Sequence, residues 1–377
     1  MYFLGLNSKY MVIKLIVLLS PLSFMSQAEP LELKNQFKTE LYIADKNVPW
    51  GMAWLPNGDM LITIRSGQLK IVKKGEHQSK NISGLPNIAT GGQGGLLDIV
   101  IHPEYANNGW IYFSYSITDS NRNKSTAVMR AKLRGMQLID QEELYVADAY
   151  NAGGRHFGSR LAFDNQGYLY FSIGDRGQRD LNPQDINRDA GKVYRLHDDG
   201  KIPSDNPFVK NESAKKAIFS YGHRNPQGMA KHPITGEIWI HEHGPRGGDE
   251  VNLIGKGKNY GWPLVSYGVN YSGTRFTDLT EKKGMVQPVW HWTPSIAPSG
   301  MAFVTSDKYP SLKGNMLVGS LKFGQVIMLK LDGDQVTNQE IVKEQLVRVR
   351  NIKQGPDGII YIAIDGQGIF KLLVKDK

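Results

Sequence analysis

A hairpin-sized unit recurs six times in this chain, and it leaves few ways to fold. Each copy is an apolar strand, a polar turn carrying Pro, Asp or Asn followed by Gly, and a second strand rich in Ile, Tyr and Trp. The copies occupy residues 51–62, 97–113, 161–171, 228–240, 300–318 and 352–362. Alternating β-branched and aromatic residues favour a sheet, and turns such as Asn57-Gly58 and Asp357-Gly358 close hairpins. One hairpin cannot bury its own apolar face. Six stacked radially can, which predicts an all-β, six-bladed β-propeller with about four strands per blade. No window keeps a 3.6-residue apolar period beyond two turns, so long helices are not expected. The repeats continue to residues 369–373 without a linker, which argues against paired β-sandwiches and for one domain over residues 29–377.

Residues 1–28 read differently. Lys9 and Lys14 precede the apolar run 15–22, and Ser26, Gln27 and Ala28 offer a small-x-small cleavage site. This is the pattern of a signal peptide, too short to span a bilayer, and it is already complete from Met11. A periplasmic or extracellular address follows, with no stable membrane insertion. The chain has no cysteine, which excludes disulfides, thiolate zinc sites and a cysteine nucleophile. Its formal net charge is +9, and Lys9 and Lys14 supply two of those charges, leaving +7 on the remainder. The Lys and Arg residues are dispersed and no basic helix is visible. An acidic small molecule is therefore the expected partner, and nucleic acid is not. A monomer or weak homodimer is expected.

Candidate chemistry sits in loops beside the repeated strands. Residues 241–260 are the densest stretch, with His241, His243, Arg246, Asp249 and Glu250 around a Gly-Pro and a Gly-Gly pair. A solvated loop would read the same way. His241 and His243 suit a transition metal, whereas the oxygens that follow suit calcium, which takes six to eight of them. Gln93 lies in a glycine-rich loop that would let the backbone approach a flat ligand. His156 is a natural general base, and Asp175 a carboxylate that orients it or only forms a turn. Arg224 and Asn225 would bind a carboxylate or a quinone oxygen. Arg348 and Arg350 share one strand face and need an anion, or water, between them. The polar inserts at residues 174–184 and 203–216 are expected around the mouth of the channel. No dinucleotide fingerprint, Walker loop or GxSxG elbow is present.

Residues 92–98, 222–228, 242–250 and 258–263 together make the chain resemble the soluble aldose sugar dehydrogenases that depend on pyrroloquinoline quinone (PQQ), within the quinoprotein glucose dehydrogenase superfamily. The resemblance covers essentially all of residues 29–377 and carries a six-bladed propeller with it. It implies oxidation of an aldose to a lactone, with hydride passing to the quinone C5 and electrons going on to an external acceptor. It also implies that His156 is the base, supported by Asp175. Gln93, Arg224, Asn225, Tyr271, Lys322, Arg348 and Arg350 are implied as cofactor contacts, with Trp292 packing nearby. Gly244 and Pro245 are implied as carbonyl ligands of a calcium ion under the cofactor, and Glu250 and Tyr260 as a second, structural calcium site. After Asp175 the sequence is richer in charge than the glucose-specific branch, so sugar contacts there cannot be carried over. A calcium-dependent propeller lactonase and a non-catalytic ligand-binding propeller remain the alternatives. The cationic cluster argues for an anionic cofactor against both.

Overall fold

Six four-stranded antiparallel sheets make up the fold. The computed structural model describes Met1 and residues 32–375, so the expected signal peptide, Met1 apart, lies outside the described residues. The innermost strands of the blades are Pro49–Trp54, Leu96–Ile101, Leu161–Phe163, Pro226–Lys231, Pro298–Phe303 and Val349–Gln354. Each packs on the next, and the last returns to the first, closing a ring around a channel. Each repeated sequence unit supplies the two inner strands of one blade, as in the pairings Met52↔Ile62 and Ile352↔Ile362.

The core is divided among the blade interfaces. Leu61, Ile99 and Phe113 pack between the first and second blades, and Leu317, Val349 and Ile362 between the fifth and sixth. Met52, Ile62 and Ala363 seal the join between the last blade and the first. That join has a further element that the repeats do not disclose. Strand Phe37–Ala44 pairs antiparallel with Gly368–Val374, so residues near the start of the chain supply the fourth strand of the last blade. Full closure leaves only short sheet edges to protect.

Strand direction decides where each insert opens. Connections from second to third strands open at the channel end where the innermost strands begin, and residues 174–191 make such a connection. Residues 203–216 instead join a third strand to a fourth, so they open at the opposite end. The expectation that both inserts surround one mouth holds for the first and fails for the second.

Arg160 crosses the channel beneath this mouth and is 2 % exposed. Its Nε donates to the Gln227 carbonyl (2.7 Å) and its Nη2 to that of Arg350 (3.1 Å). Its Nη1 lies 3.5 Å from Asp98 Oδ1, and its plane stacks 3.9 Å from the Trp50 ring centre. One side chain thus ties together five blades. Removing one partner of a buried ion pair typically costs about 3–5 kcal/mol because the other charge is left uncompensated. Arg160→Met should therefore lower the urea midpoint markedly, and Asp98→Asn added to it should recover part of the loss. A wild-type midpoint for the single variant would show that the crossing does not hold the ring.

Candidate active site

Two cavities open at the end of the channel where the innermost strands begin, and Gln93 lines both. The wider, about 500 Å³, contains His156, Asp175 and Arg224. The narrower, about 140 Å³, is lined by Arg65, Asn225, Arg348 and Arg350.

Asp175 follows the second strand of the third blade, Leu169–Ile173, and is 1 % exposed. Its Oδ1 lies 2.6 Å from His156 Nδ1 and also accepts the Gly177 N–H (2.6 Å). Its Oδ2 accepts the Trp262 indole N–H (2.9 Å), so both oxygens are fixed. Burial first, then the charges of Arg224 and Arg155, holds His156 below its ordinary pKa, against the upward pull of Asp175. Burial alone would raise Asp175, but the hydrogen bond and charge of His156, the charge of Arg224 and the Gly177 N–H hold it below the usual carboxylate range. The pair at neutral pH is therefore a carboxylate and a neutral imidazole. Nδ1–H donates to the carboxylate, which leaves Nε2 with its lone pair to accept a proton.

The loop carrying His156 is held from below. Arg176, 1 % exposed, donates through Nη2 to the carbonyls of Gly153 (3.1 Å) and Lys124 (3.2 Å) and through Nη1 to that of Arg155. Its guanidinium also stacks 3.6 Å from the Phe157 ring centre. His156 and Arg176 both adopt left-handed backbone, at φ 56° and 57°, a strain that surrounding contacts must sustain. Gln93 Oε1 completes the hold by accepting the His156 N–H at 2.8 Å.

One glycine beside Gln93 is required by packing within the protein itself. A Cβ on Gly95 would lie 1.7 Å from the Arg65 carbonyl oxygen, so the close approach there is to the protein's own backbone. In the narrower cavity Arg350 grips Asp365 through Nε (3.1 Å) and Nη2 (2.8 Å), while Arg348 Nε reaches the same carboxylate at 3.2 Å. Asp365 is thus the anion between the two arginines. Arg65 adds a third cation close enough to feel Arg350, Asp365 and Arg348. Neither Arg65 nor Asp365 stands out in the sequence, since each is a lone charged residue just past a strand.

Three residues expected as cofactor contacts lie outside the narrower cavity. Trp292 lies on the outermost strand of its blade, Trp290–Trp292, the position farthest from the channel. Its side chain packs between the fourth and fifth blades, with its N–H on Gln339 Oε1 at 2.7 Å. Lys322 is exposed beside the Phe323 ring (4.9 Å) and lines neither cavity, although Leu321 lines the narrower one. Tyr271, 73 % exposed, belongs to the rim of the wider cavity. Asn225 lines the narrower cavity, its Oδ1 accepting the Gly158 N–H at 3.2 Å.

The two calcium positions offer unequal donors. The Gly244 carbonyl accepts Arg224 Nη1 at 2.6 Å, and the His243 carbonyl accepts the same nitrogen at 3.0 Å. Nearby Asp249 is committed to the N–H groups of Gly244, Ile296 and Ala297 and to the Ser295 hydroxyl. A guanidinium N–H takes one lone pair of the Gly244 oxygen, so a metal at Gly244 and Pro245 would share that oxygen with Arg224. Glu250 differs. Burial, with Glu242 close by, pushes its carboxyl up to about 8, and Asn252 Nδ2 is its one side-chain donor (3.2 Å). Asn252 Oδ1 is buried without a partner. Those oxygens suit a hard cation, while the Tyr260 hydroxyl is already taken by Leu253 O and Gly255 N. His241 and His243 each spend Nε2 on a carbonyl of the next blade, Gly300 at 3.1 Å and Pro298 at 2.7 Å.

The family described as glucose/sorbosone dehydrogenase matches residues 46–373. Aldose sugar dehydrogenase YliI of Escherichia coli is 43% identical over 326 residues, which cover 84% of this chain and 87% of that protein. The crystal structure of the soluble aldose sugar dehydrogenase of Escherichia coli in its apo form matches 90% of this chain and 100% of that one, at 40% identity and a TM-score of 0.85. The PQQ-bound form of an aldose sugar dehydrogenase from Streptomyces coelicolor matches 90% of this chain and 98% of that one, at 25% identity and a TM-score of 0.73.

Proposed function

The chain belongs to the glucose/sorbosone dehydrogenase family, and on that premise we propose that it is an exported quinoprotein that oxidises aldoses at C1 to lactones and passes the electrons to an external acceptor. The observation that carries this reading is the buried His156–Asp175 pair in a cavity that shares Gln93 with an arginine-lined one. A proton acceptor and a polyanion cradle lie side by side.

The narrower cavity fits the cofactor by its chemistry. Arg65, Arg348 and Arg350 face one carboxylate, Asp365, so a surplus of donors remains for the three carboxylates of PQQ. Bound there, the quinone would supply the hydride acceptor. His156 Nε2 takes the proton of the anomeric hydroxyl as the C1–H bond breaks. Asp175 keeps the imidazole turned toward the sugar and stabilises it once protonated. Arg224, anchored through Nη1, is left with other N–H groups to stabilise negative charge that develops on oxygen nearby. No step is assigned to a calcium ion at Gly244 and Pro245. At Glu250 a calcium ion would have a structural role, neutralising a carboxylate that burial otherwise penalises. Export rests on residues 1–28; among the described residues no helix is long and apolar enough to cross a membrane.

Reconstitution tests the proposal. Protein freed of cofactor should be inert, and adding PQQ with calcium should restore dye reduction by several aldoses. Turnover by demonstrably cofactor-free protein, unchanged on adding PQQ, would overturn it.

A further inference from the structure

The wider cavity carries more positive charge than a neutral sugar requires. Three guanidiniums line it, those of Arg155, Arg179 and Arg224, against two carboxylates, those of Asp175 and Asp180. Both carboxylates are already engaged, Asp175 by His156 at 2.6 Å and Asp180 by Arg179 at 3.4 Å. Arg224 is anchored to carbonyls through Nη1, and its other N–H groups already have the task of facing charge that develops on the reacting oxygen. The cofactor's own cations, Arg65, Arg348 and Arg350, line the other cavity. Arg179 is paired only with the exposed Asp180, and Arg155 with no carboxylate among the described residues, so positive charge is left over in this cavity.

Arg155 is exposed on the cavity wall and Arg179 half-buried in it. A Cβ on Gly177, itself at φ 76°, would lie 2.4 Å from Arg155 Nε and 3.0 Å from Nη2, so the guanidinium rests against a surface that glycine leaves open. The Arg155 carbonyl is pinned by Arg176. Among the described residues the Arg155 guanidinium has no carboxylate partner. Arg179 Nη1 donates to Asn270 Oδ1 at 2.7 Å, and its plane lies 4.6 Å from the Phe276 ring centre. Leu181 and Tyr271, 56 % and 73 % exposed, offer apolar surface at the rim for the C–H face of a pyranose.

We infer that the preferred substrates are aldoses bearing a carboxylate, the hexuronic acids, with Arg155 as the residue that selects the anion and Arg179 assisting. The inference rests on the dehydrogenase reading above. C1 of the uronate faces His156. The C1–H hydride leaves with its electron pair to the quinone acceptor, the O1 proton goes to His156, and C1=O forms in the pyranose ring, already closed through O5, to give the lactone. The C6 carboxylate is unchanged and is held by the guanidiniums through charge-assisted hydrogen bonds.

The test compares glucuronate and galacturonate with glucose and galactose in the PQQ-loaded protein at low salt. The kcat/KM ratio of uronate to neutral sugar should exceed one by about tenfold or more, since one charge-assisted bond in a partly exposed site is worth about a decade. It should shrink as salt is raised. Arg155→Gln should lower the ratio by about tenfold, mostly through KM, while Arg155→Lys keeps most of it. Calorimetric titration of glucuronate into cofactor-free protein gives a second readout, with binding that weakens in Arg155→Gln. Oxidation of neutral sugars with no uronate preference, or a ratio untouched by Arg155→Gln combined with Arg179→Gln, overturns this inference and leaves the dehydrogenase reading standing. Arg155-dependent uronate binding without oxidation of any sugar would support the anion site and reject the dehydrogenase reading.

Discussion

His156→Gln is expected to fold, to take up PQQ, and to lose a factor of ~10²–10⁴ in the rate at which aldose reduces the cofactor, the usual cost of removing a positioned base. Glutamine can still donate a side-chain N–H toward Asp175, so the buried carboxylate keeps a partner and the fold is spared. What disappears is the Nε2 lone pair. The loss should fall in the half-reaction with sugar, and reoxidation of pre-reduced protein by dye should change little. In the wild type the same half-reaction should weaken only as pH falls below 6.5, because burial and the neighbouring arginines hold the imidazole below its ordinary value. The direction follows from the role. Below its pKa His156 already carries the proton it must accept, and above it the base is ready. Stopped-flow reduction across pH reads both effects. Near-normal reduction of the variant, or an acidic limb above pH 7, would remove His156 from the chemistry.

The fold was legible where the physics is local. Alternating apolar residues and Asn-Gly or Asp-Gly turns identify the two inner strands of each blade, because a hairpin is specified within about a dozen residues. The ring closure was not legible, since it depends on pairings that no short window holds. Phe37 pairs with Val374, and Asn351 Nδ2 donates to the Trp50 carbonyl 301 residues away. The same distinction runs through the site. His156 and Asp175 sit in dense, glycine-punctuated motifs and meet as expected. Arg65 and Asp365 come together only because the first and last blades adjoin. Trp292 lies outside the narrower cavity for a related reason. Sequence reveals that a tryptophan lies near a loop, but distance from the channel depends on which strand of the blade carries it. For Gly244, the sequence shows a carbonyl available to a cation, and only the fold shows that Arg224 donates to it.

Arg350→Ala should weaken PQQ uptake by about 1.5–3 kcal/mol for the lost charge-assisted bonds, roughly 10- to 150-fold in Kd. The side chain is 6 % exposed and holds Asp365 with two nitrogens, so solvent screens it little. Its removal acts twice. The cofactor loses a donor, and the Asp365 carboxylate is left facing the incoming carboxylates with only Arg348, whose side chain is 50 % exposed, still bonded to it. Arg348→Ala should accordingly cost less, because an exposed pair is screened and contributes little. A second substitution separates the two effects. Asp365→Asn added to Arg350→Ala removes the repulsive charge and should recover part of the affinity, and the two changes should not be additive because the residues touch. Titrating PQQ into cofactor-free protein and following its absorbance measures each Kd. Equal Kd values for wild type and Arg350→Ala would place the cofactor outside the arginine-lined cavity, and full additivity of the pair would show that Asp365 is not felt there.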